Sequence, residues 1–421
     1  MKFRVERDAL EEALSWVARA LPNRPVVPLL AGLLLRADGD GVQLSCFDYE
    51  VSARATVPAV VGEPGRALVP GRLLAEIAKS LPAADVEVNT AAGLMMVTCG
   101  GAEFAFVSLP LDEYPQLPEL PAVRGTVDGG LLATAAAQVV PAASRDDTQP
   151  MLTGVYLDVD GGVLTLAATD RYRMATRRID WEPRMRGARF SALVPARTLA
   201  DIGRTVGPGQ PVTIAIGSAD AAGTEPADGL ISFEGAGRRM TARLIGAEFI
   251  RYESRFPASF EASAELPAGP FTEAVRRVSL VADRGAPVQL AFRRDVVVVE
   301  AQSDGRARAV ESVPVALVGA DQMISFNPHY LLDGLVAAAL TEPGGGDAAG
   351  RIRLQFTSPA RPALITWLAG EGTAHQDPDG AGSVKGNGLA RAGAVAHAGG
   401  RDGTPEFRYL VVPLRAPSGA V

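Results

Sequence analysis

The sequence repeats one order of elements three times, and this repetition decides which architectures are open to the chain. An apolar run, a Gly/Asp turn and a second apolar run occur at 29–50 and again at 151–172. This pattern predicts two antiparallel strands joined by a tight turn. Because other shared patterns follow in the same order, the hairpins belong to a larger repeating unit.

A strand followed by a helix is the second shared pattern. A short strand ends at a Val-Pro pair and leads into a helix at 67–82 and 192–207, and a related strand and helix occupy 324–340. The apolar residues of these helices recur at the spacing of a helix with one buried face. Each repeat is about 125 residues long, which is the size of a small domain.

The remaining segments complete each unit. A helix opens each repeat, at 5–21, 129–144 and 269–283, and a strand closes it, at 102–110, at 239–249 and at 363–370 or 407–415. In the segments between them, such as the hairpin at 296–317, apolar and polar residues alternate at period two, which is typical of strands. Each repeat is therefore predicted to contain about eight strands and two helices. The sequence predicts an α+β fold with three tandem domains at 1–123, 124–260 and 261–421. The alternative, one large β-rich domain, would not reproduce this order.

Two segments do not fit the repeat. Residues 371–405 contain no aromatic residue and few bulky apolar ones, so they are predicted to form a disordered loop before the last strand. Residues 341–350 are predicted to form a second, shorter loop. Long insertions between paired strands are tolerated because the entropy of loop closure grows only logarithmically with length.

Composition limits the class of protein. With 421 residues, 47% of them hydrophobic, the chain can bury several cores. A net charge of −7 argues against binding nucleic acid over the whole surface, although it allows a local basic lining. The charged amphipathic N-terminus and the lack of a long uncharged run predict neither a signal peptide nor a membrane span, so we expect a cytoplasmic protein. Cys46 and Cys99 lie in apolar contexts and are predicted to be buried free thiols.

The sequence offers no pattern typical of an enzyme. The three histidines have no metal-ligand spacing, and there is no Cys-x-x-Cys, phosphate-binding loop or G-x-S-x-G motif. Adjacent carboxylates such as Asp146 and Asp147 are expected to be solvated turn residues. We therefore predict no catalytic site, no metal and no cofactor. An enzyme with an unrecognised site is the alternative, and only measured turnover would support it.

Five strings carry a resemblance to a known family: NRPVVPLLAGLLL (23–35), LVPGRLLAEIAKSLP (68–82), ATDRYRMA (168–175), SFNPHYLLDGL (325–335) and YLVVPLR (409–415). In this order and spacing the chain, apart from 371–405, resembles the bacterial DNA polymerase III β subunit, the replicative sliding clamp. The resemblance implies three domains of the DNA-clamp fold in a crescent. Two crescents would join head to tail as a homodimer, giving a six-domain ring around duplex DNA. Such a ring has no catalytic activity and tethers DNA polymerase III and clamp-loader subunits through short peptides.

The resemblance also implies which residues face DNA and which close the ring. Helices that line the central hole would present Arg24, Arg72, Lys79, Arg197, Arg204, Arg276 and Arg277 to phosphates, in contacts that are independent of sequence and sensitive to salt. Each of these residues has the alternative of an ordinary solvated position. The dimer interface would use Phe104 and Phe106 on an edge strand, with Val278 and Leu280 of the third domain. Alternatively, both phenylalanines belong to the core.

The third implied site is the groove for partner peptides. By resemblance it comprises Leu152, Thr169, Arg171, Tyr172, Arg173, Met174, Ile250, Ser254, Asn327, Tyr330, Ala360, Pro362, Leu410, Val411, Val412, Pro413, Leu414 and Arg415. Its apolar floor would be Leu152, Met174, Val411, Val412 and Leu414, which would accept Leu or Phe side chains. Arg173, Asn327 and Tyr330 would supply the polar edges.

The sequence departs from the family at the rim of this groove. Family members usually carry a Pro and an Arg where Ile250 and Ser254 stand in this chain. One hypothesis is therefore an accessory clamp with altered partner choice, or one that tolerates a groove-binding inhibitor made by its own host (self-resistance to an antibiotic). Another is a clamp-fold scaffold that does not encircle DNA, which would be a monomer rather than a dimer of twice 43.8 kDa.

Overall fold

The structure is a computed structural model, and it describes residues 1–217, 229–303, 305–340, 350–368 and 406–414. Within these ranges the chain forms six α-helices and 27 β-strands. They fall in chain order into three sets, each of nine strands and two helices. The α+β class and the threefold order of elements are confirmed. The predicted loop at 371–405 and nearly all of the loop at 341–350 lie outside the described residues.

The first repeat contains the strands β1 (Lys2–Val5), β2 (Gly32–Asp38), β3 (Gly41–Phe47), β4 (Val51–Pro58), β5 (Val60–Glu63), β6 (Gly65–Pro70), β7 (Val86–Ala91), β8 (Leu94–Cys99) and β9 (Ala102–Val107). Its helices are α1 (Arg7–Val17) and α2 (Gly71–Ser80). Helix α1 forms because Leu10, Leu14 and Val17 recur on one face, and all three are buried.

The second repeat contains the strands β10 (Val123–Asp128), β11 (Gly154–Asp160), β12 (Val163–Thr169), β13 (Arg173–Asp180), β14 (Glu182–Pro183), β15 (Arg189–Pro195), β16 (Pro211–Gly217), β17 (Leu230–Gly235) and β18 (Arg238–Arg243). Its helices are α3 (Gly129–Val139) and α4 (Ala196–Gly203). Helix α4 begins directly after the Val-Pro pair that ends β15, as the sequence pattern predicts.

The third repeat contains the strands β19 (Ala262–Pro267), β20 (Val288–Phe292), β21 (Val296–Ser303), β22 (Ala307–Pro314), β23 (Ala316–Val318), β24 (Gln322–Phe326), β25 (Arg351–Phe356), β26 (Ala363–Leu368) and β27 (Phe407–Val411). Its helices are α5 (Ala268–Ser279) and α6 (Pro328–Ala339). Asn327 caps α6, because its side chain accepts a hydrogen bond from the backbone N–H of His329 (2.9 Å).

The described chain divides into two compact units. Unit 1 comprises 1–136, 146–164 and 180–249, and unit 2 comprises 137–145, 165–179 and 250–421. Unit 1 contains a five-stranded sheet, β5-β1-β7-β8-β9, and a nine-stranded sheet, β14-β10-β16-β17-β18-β4-β3-β2-β6. Unit 2 contains the four-stranded sheet β22-β21-β20-β24 and the strand series β13-β27-β26-β25-β19-β23.

Neighbouring repeats are joined by strand pairing inside each unit. In unit 1, β18 pairs antiparallel with β4, from Arg238↔Ala55 to Ala242↔Val51. In unit 2, β27 pairs with β13, from Arg173↔Val411 to Arg177↔Phe407. In both cases the fourth strand of one repeat pairs with the ninth strand of the next. The fourth strand of the third repeat, β22, and the ninth strand of the first, β9, are edge strands among the described sheets.

The cores lie between the helices and one face of each sheet. In unit 1, Phe3, Leu14 and Leu35 are almost completely buried, and in unit 2 the same holds for Phe271 and Phe326. Burial of each such side chain contributes about 1.5–3 kcal/mol, so the strands and helices are held as a rigid frame for the surfaces that they present.

Candidate functional site

A cluster of polar side chains in unit 2 surrounds the turn between β12 and β13. Asp170 Oδ1 accepts hydrogen bonds from the backbone N–H groups of Tyr172 and Arg173, both at 3.0 Å. Thr169 Oγ1 donates to the carbonyl of Arg173 (2.7 Å) and accepts from the N–H of Arg171 (3.2 Å). Arg171 has a φ of +80°, a conformation that side chains other than glycine rarely adopt. These bonds fix the direction in which the next side chains leave the turn.

Arg173 is the centre of the cluster. Its Nε lies 2.9 Å from Asp170 Oδ2, its Nη1 forms an ion pair with Asp333, and its guanidinium lies 4.6 Å from the ring centroid of Tyr330. Burial opposes the charge of this side chain, but Tyr409, Asp333 and Asp170 outweigh it and raise the pKa of Arg173. The guanidinium is therefore a fixed, permanently charged support rather than a group that exchanges protons.

Tyr409 supports the cluster from the buried side. Its side chain is fully buried in β27, and its hydroxyl donates to the carbonyl of Tyr330 on α6 (2.9 Å). Burial raises the pKa of Tyr409, so the hydroxyl stays protonated. Helix α6 can approach this ring only because residue 334 is glycine: a Cβ there would lie 2.4 Å from Tyr409 Cε1.

Two aromatic rings form the exposed part of the cluster. Tyr172 and Tyr330 are stacked, with centroids 5.9 Å apart and planes inclined at 17°. Tyr172 is 55% exposed, and Tyr330 is half-buried. Burial raises the pKa of Tyr330. The pair presents a rigid apolar surface whose edges are polar, a combination frequently found where proteins bind peptides.

The segment after β27 runs beside these rings. The N–H of Val412 donates to the carbonyl of Tyr172 (2.8 Å), and the N–H of Leu414 donates to the carbonyl of Ser325 (2.7 Å). Val412, Pro413 and Leu414 are all half-buried. A short apolar stretch is therefore held by its backbone while part of each side chain remains accessible.

The basic residues predicted to face DNA are exposed, as a solvated lining requires. Arg72 and Lys79 lie on α2, Arg197 on α4 with Arg204 just after it, Arg276 and Arg277 on α5, and Arg24 in the loop after α1. Several carry local counter-charges. Arg197 and Arg204 both pair with Asp201 (3.9 and 2.9 Å), Arg276 pairs with Glu273, and Arg277 pairs with Glu311 at 2.5 Å. The hydrogen bond and ion pair with Arg277 lower the pKa of Glu311.

The two edge strands differ in what they expose. On β9, Val107 is 69% exposed, whereas Phe106 is 3% exposed and Phe104 is half-buried. Side chains alternate across a strand, so the phenylalanines share the inward face and Val107 lies on the outward one. On β22, Val310 is 49% exposed, and just after α5 Leu280 is 82% exposed.

The described residues offer no arrangement for redox or metal chemistry. Cys46 and Cys99 are buried free thiols, as predicted, and burial raises the pKa of Cys46 to about 12, so its thiol stays protonated. Among the residues that the structure describes, no group of three or more His, Cys, Asp or Glu side chains could hold a metal ion. No helix in the described ranges is long and apolar enough to cross a membrane.

Three family models match the chain in succession. They are the N-terminal domain of the DNA polymerase III beta subunit at residues 1–118, its central domain at 126–250 and its C-terminal domain at 253–376. The chain belongs to the DNA polymerase III beta subunit family. Its function is that of a beta sliding clamp, and the resemblance found in the sequence is confirmed.

Individual relatives agree with the family. The beta sliding clamp of Streptomyces coelicolor is 46% identical over 366 residues, which are 87% of this chain and 94% of that protein. The "Beta sliding clamp homolog GriR" of Streptomyces muensis is 42% identical over 335 residues, 80% of this chain and 88% of that protein. A crystal structure of the Pseudomonas aeruginosa sliding clamp bound to griselimycin, 23% identical, matches with a TM-score of 0.80 over 99% of this chain and all of that one. That likeness confirms the fold of three tandem clamp domains.

The structure brings most of the predicted groove residues of this sliding clamp together in unit 2. Thr169, Arg171, Tyr172, Arg173 and Tyr330 meet in the cluster just described. Asn327 caps the helix that carries Tyr330. Ile250 and Pro362 are half-buried, Ser254 and Ala360 are exposed, and Leu152 belongs to unit 1. Arg415 lies outside the described residues.

The apolar floor predicted for the groove needs a correction. Leu152, Met174 and Val411 are buried, with at most 6% of their surfaces exposed, so they are core residues rather than accessible floor. The predicted groove residue Leu410 is buried as well. Met174 and Val411 lie in the paired strands β13 and β27, where packing against the sheet covers them. Of the predicted floor, only Val412 and Leu414 present apolar surface.

The dimer residues need a similar correction. Phe106 and Val278 are 3% and 2% exposed, so they pack in the core of their own chain and cannot present apolar surface to a second copy. The alternative of a core residue therefore holds for Phe106. Leu280 is exposed, and so are Val107 on β9 and Val310 on β22, which the sequence did not single out. Strict alternation along β9, with both phenylalanines on one face, could have revealed Val107.

Sequence reasoning also missed the partners that hold Arg173. Asp170 was readable from the Thr-Asp start of the turn, because Asp favours turns in which it binds backbone N–H groups two and three residues on. Asp333 carries no such signal, since it lies 160 residues from Arg173 along the chain.

Proposed function

We propose that this sliding clamp closes into a ring by pairing β22 of one copy with β9 of another. The support is the rule visible inside the chain: the fourth strand of one repeat pairs with the ninth strand of the next, in β4 with β18 and in β13 with β27. Continuing that rule beyond the third repeat requires a second copy. The exposed Val107, Val310 and Leu280 would become buried in such a contact.

The proposed assembly is a head-to-tail homodimer, the number of copies that the family resemblance implies. Light scattering should give a mass near twice 43.8 kDa. Replacing Val107 with Asp should shift the protein to a monomer, because a carboxylate would be buried in the new seam. The control is Met185→Asp, at an equally exposed apolar residue that belongs to neither β9 nor β22. A monomeric wild-type protein would favour the scaffold without a ring.

The ring would encircle duplex DNA and bind it without regard to sequence. Arg24, Arg72 and Lys79 have no ion-pair partner among the described residues, whereas Arg197, Arg204, Arg276 and Arg277 share their charge with nearby acids. A lining with partly neutralised charge holds phosphates loosely, which suits a protein that must slide. The test is retention on circular DNA after loading. Linearising the DNA should release the protein, and retention on linear DNA would contradict topological binding.

The peptide site would be the surface made by Tyr172, Tyr330 and the segment Val412–Leu414. The observation that carries it is the half-buried apolar segment whose backbone is fixed to Tyr172 and Ser325. Such a surface can accept Leu and Phe side chains without having to fold first, which lowers the entropic cost of binding. Through it, DNA polymerase III and clamp-loader subunits would be tethered in the cytoplasm. The clamp itself would carry out no catalysis and need no cofactor.

Binding of a short fluorescent peptide with adjacent Leu and Phe residues tests this site. Leu414→Asp should weaken binding at least tenfold, because it places a charge where an apolar side chain docks, a cost of about 1.4 kcal/mol or more. The control, Met185→Asp, should bind as the wild type does. Equal affinities for both variants would place the peptide elsewhere.

The second candidate function is a clamp that tolerates a groove-binding inhibitor. Its support is the pair Ile250 and Ser254 at the predicted rim; Ser254 is exposed, and its hydroxyl donates to the carbonyl of Arg251 (3.0 Å). The Pseudomonas aeruginosa clamp provides the probe, because griselimycin is bound to it. Weak binding of griselimycin with ordinary binding of the Leu-Phe peptide would support tolerance. Ordinary binding of both would reject it.

A further inference from the structure

Four arginines lie on one face of the nine-stranded sheet of unit 1. Arg36 and Arg66 are directly opposite each other on β2 and β6, and Arg54 and Arg239 are directly opposite on β4 and β18. Strands β6, β2, β3, β4 and β18 are consecutive in the sheet. We call Arg36, Arg54, Arg66 and Arg239 the arginine face. It spans four strand spacings, about 19 Å.

This arrangement costs stability. Like charges directly opposite in an antiparallel pair repel, and the arginine face contains two such pairs. The sheet compensates only half of the charge: Arg36 pairs with Asp38 (3.1 Å), and Arg239 binds Glu234 through two nitrogens (2.7 and 3.0 Å). Arg54 and Arg66 form no hydrogen bond or ion pair with any residue in the described part of the chain. Local repulsion that the fold compensates only in part indicates a role outside the fold.

Arg54 is held in an unfavourable position. It is half-buried, and burial together with the charges of Arg239 and Arg36 lowers its pKa. A guanidinium in this state gains more from an added carboxylate than a fully solvated one does, because the loss of hydration has already taken place. Arg36 lines an open hollow of about 530 Å³ together with Gln43, Thr56 and Pro58. Asp38 and Asp40 line it too and would repel carboxylates, so the acidic groups of a ligand would lie over the arginines and not in the hollow.

We propose that the arginine face binds an acidic segment of a partner protein. An extended peptide rises about 3.3 Å per residue, so roughly six residues cover the 19 Å of the face. Three alternate carboxylates of such a segment would face the sheet, where they would meet the four arginines. Arginine suits this task because its planar fork can bind a carboxylate through two parallel hydrogen bonds.

A peptide fits better than a nucleic acid. The positions between the arginines on this face are Gln43, Ser45 and Thr56, so no aromatic ring lies among them for a base to stack on. The site does not depend on ring closure or on the peptide site of unit 2.

Fluorescence anisotropy with a labelled hexaglutamate peptide tests the proposal on the full-length protein. We expect binding that weakens as salt is raised, and no binding of hexaglutamine. Arg54→Gln and Arg66→Gln should each weaken binding about threefold, and the double variant about tenfold. The matched control is Arg189→Gln, an exposed arginine on β15 that is paired with Asp160.

Two further measurements make the outcome decisive. Thermal unfolding of the double variant should be unchanged or raised, because removing like charges relieves repulsion; a lowered Tm would assign the arginines a structural role instead. An oligothymidylate is titrated in parallel. Loss of its binding in the double variant, with hexaglutamate unaffected, would overturn the proposal in favour of nucleic acid. Equal hexaglutamate affinity for wild type and double variant would reject the site.

Discussion

Two turns at equivalent places in the first and second repeats have the same backbone conformation but different side chains. The first turn, 48–51, joins β3 to β4, and the second turn, 170–173, joins β12 to β13. In the first, Asp48 Oδ1 accepts from the N–H groups of Glu50 and Val51 (3.0 and 2.7 Å). In the second, Asp170 Oδ1 accepts from the corresponding two residues, both at 3.0 Å.

The likeness extends to backbone strain. Tyr49 and Arg171, each directly after the Asp, have φ values of +74° and +80°. The third repeat places Gly305 (φ +68°) between β21 and β22. The turn is therefore a property of the repeated fold, whichever side chains it carries.

The side chains make the difference. The first turn ends in Glu50 and Val51, with the exposed Tyr49 near Phe47. The second ends in Tyr172 and Arg173, which reach Tyr330, Asp333 and Tyr409. The fold therefore supplies the same rigid turn in both repeats, and an aromatic and a charged residue at two positions make the second turn a candidate binding site.

Removal of the Arg173 side chain should have the largest effect on the second turn. Arg173→Met should lower the free energy of unfolding by about 3 kcal/mol, because Asp170 would lose the partner of a largely buried ion pair. The matched change Val51→Met in the first turn should cost less than about 1 kcal/mol. Urea unfolding measures both. Equal losses would mean that Arg173 does not organise its cluster.

The two turn aspartates give the next largest effect. Asp48→Ala should cost about 1 kcal/mol, since two backbone N–H groups lose their acceptor. Asp170→Ala should cost about 2–3 kcal/mol, because it also removes the ion pair with Arg173. A double-mutant cycle of Asp170→Ala with Arg173→Met checks the reason: a coupling near zero would show that the pair contributes nothing beyond the turn.

A buried tyrosine lies beside each turn and predicts a shared dependence on pH. Tyr114 accepts from the N–H of Phe47 (2.9 Å), and Tyr409 donates to Tyr330. Burial raises the pKa of both phenols above the ordinary value of 10.0. The native protein therefore holds these protons more tightly than the unfolded chain does. This stabilisation is complete below about pH 10 and is lost as the pH rises through the raised pKa values.

We accordingly expect Tm to fall above pH 10. Tyr114→Phe and Tyr409→Phe should each make that fall shallower, which scanning calorimetry at a series of pH values measures. The exposed Tyr49 provides the control, because Tyr49→Phe should leave the slope of Tm against pH unchanged. A slope that is the same in all three variants would mean that other groups cause the fall.

The smallest effect concerns the strained residues. Arg171→Gly and Tyr49→Gly should each change the free energy of unfolding by less than about 1 kcal/mol, because relief at positive φ is offset by the greater entropy of glycine in the unfolded chain. The gain should be smaller for Tyr49→Gly, which also loses the ring contact with Phe47. A loss above 2 kcal/mol at either site would show that the side chain, not the backbone, matters there.

The sequence predicted the order of elements well because each signal is local. The helix expected at 5–21 is α1, Arg7–Val17, and the hairpin expected at 151–172 is β11 with β12. Alternation and helical spacing report which face of an element is apolar, and that information lies within a few neighbouring residues. The same alternation separates Phe106 in the core from Val107 at the surface, but it does not show that β9 is an edge strand.

The threefold α+β architecture, the membership of the sliding clamp family and the segments of the proposed peptide site could all be read from the sequence. Only the tertiary structure decided that Arg173 is held by Asp170 and Asp333, that Met174 and Val411 are covered, and that four arginines share one sheet face. The physical reason is distance along the chain. Periodicity is written in adjacent residues, whereas strand register and helix packing bring together side chains that no local pattern connects.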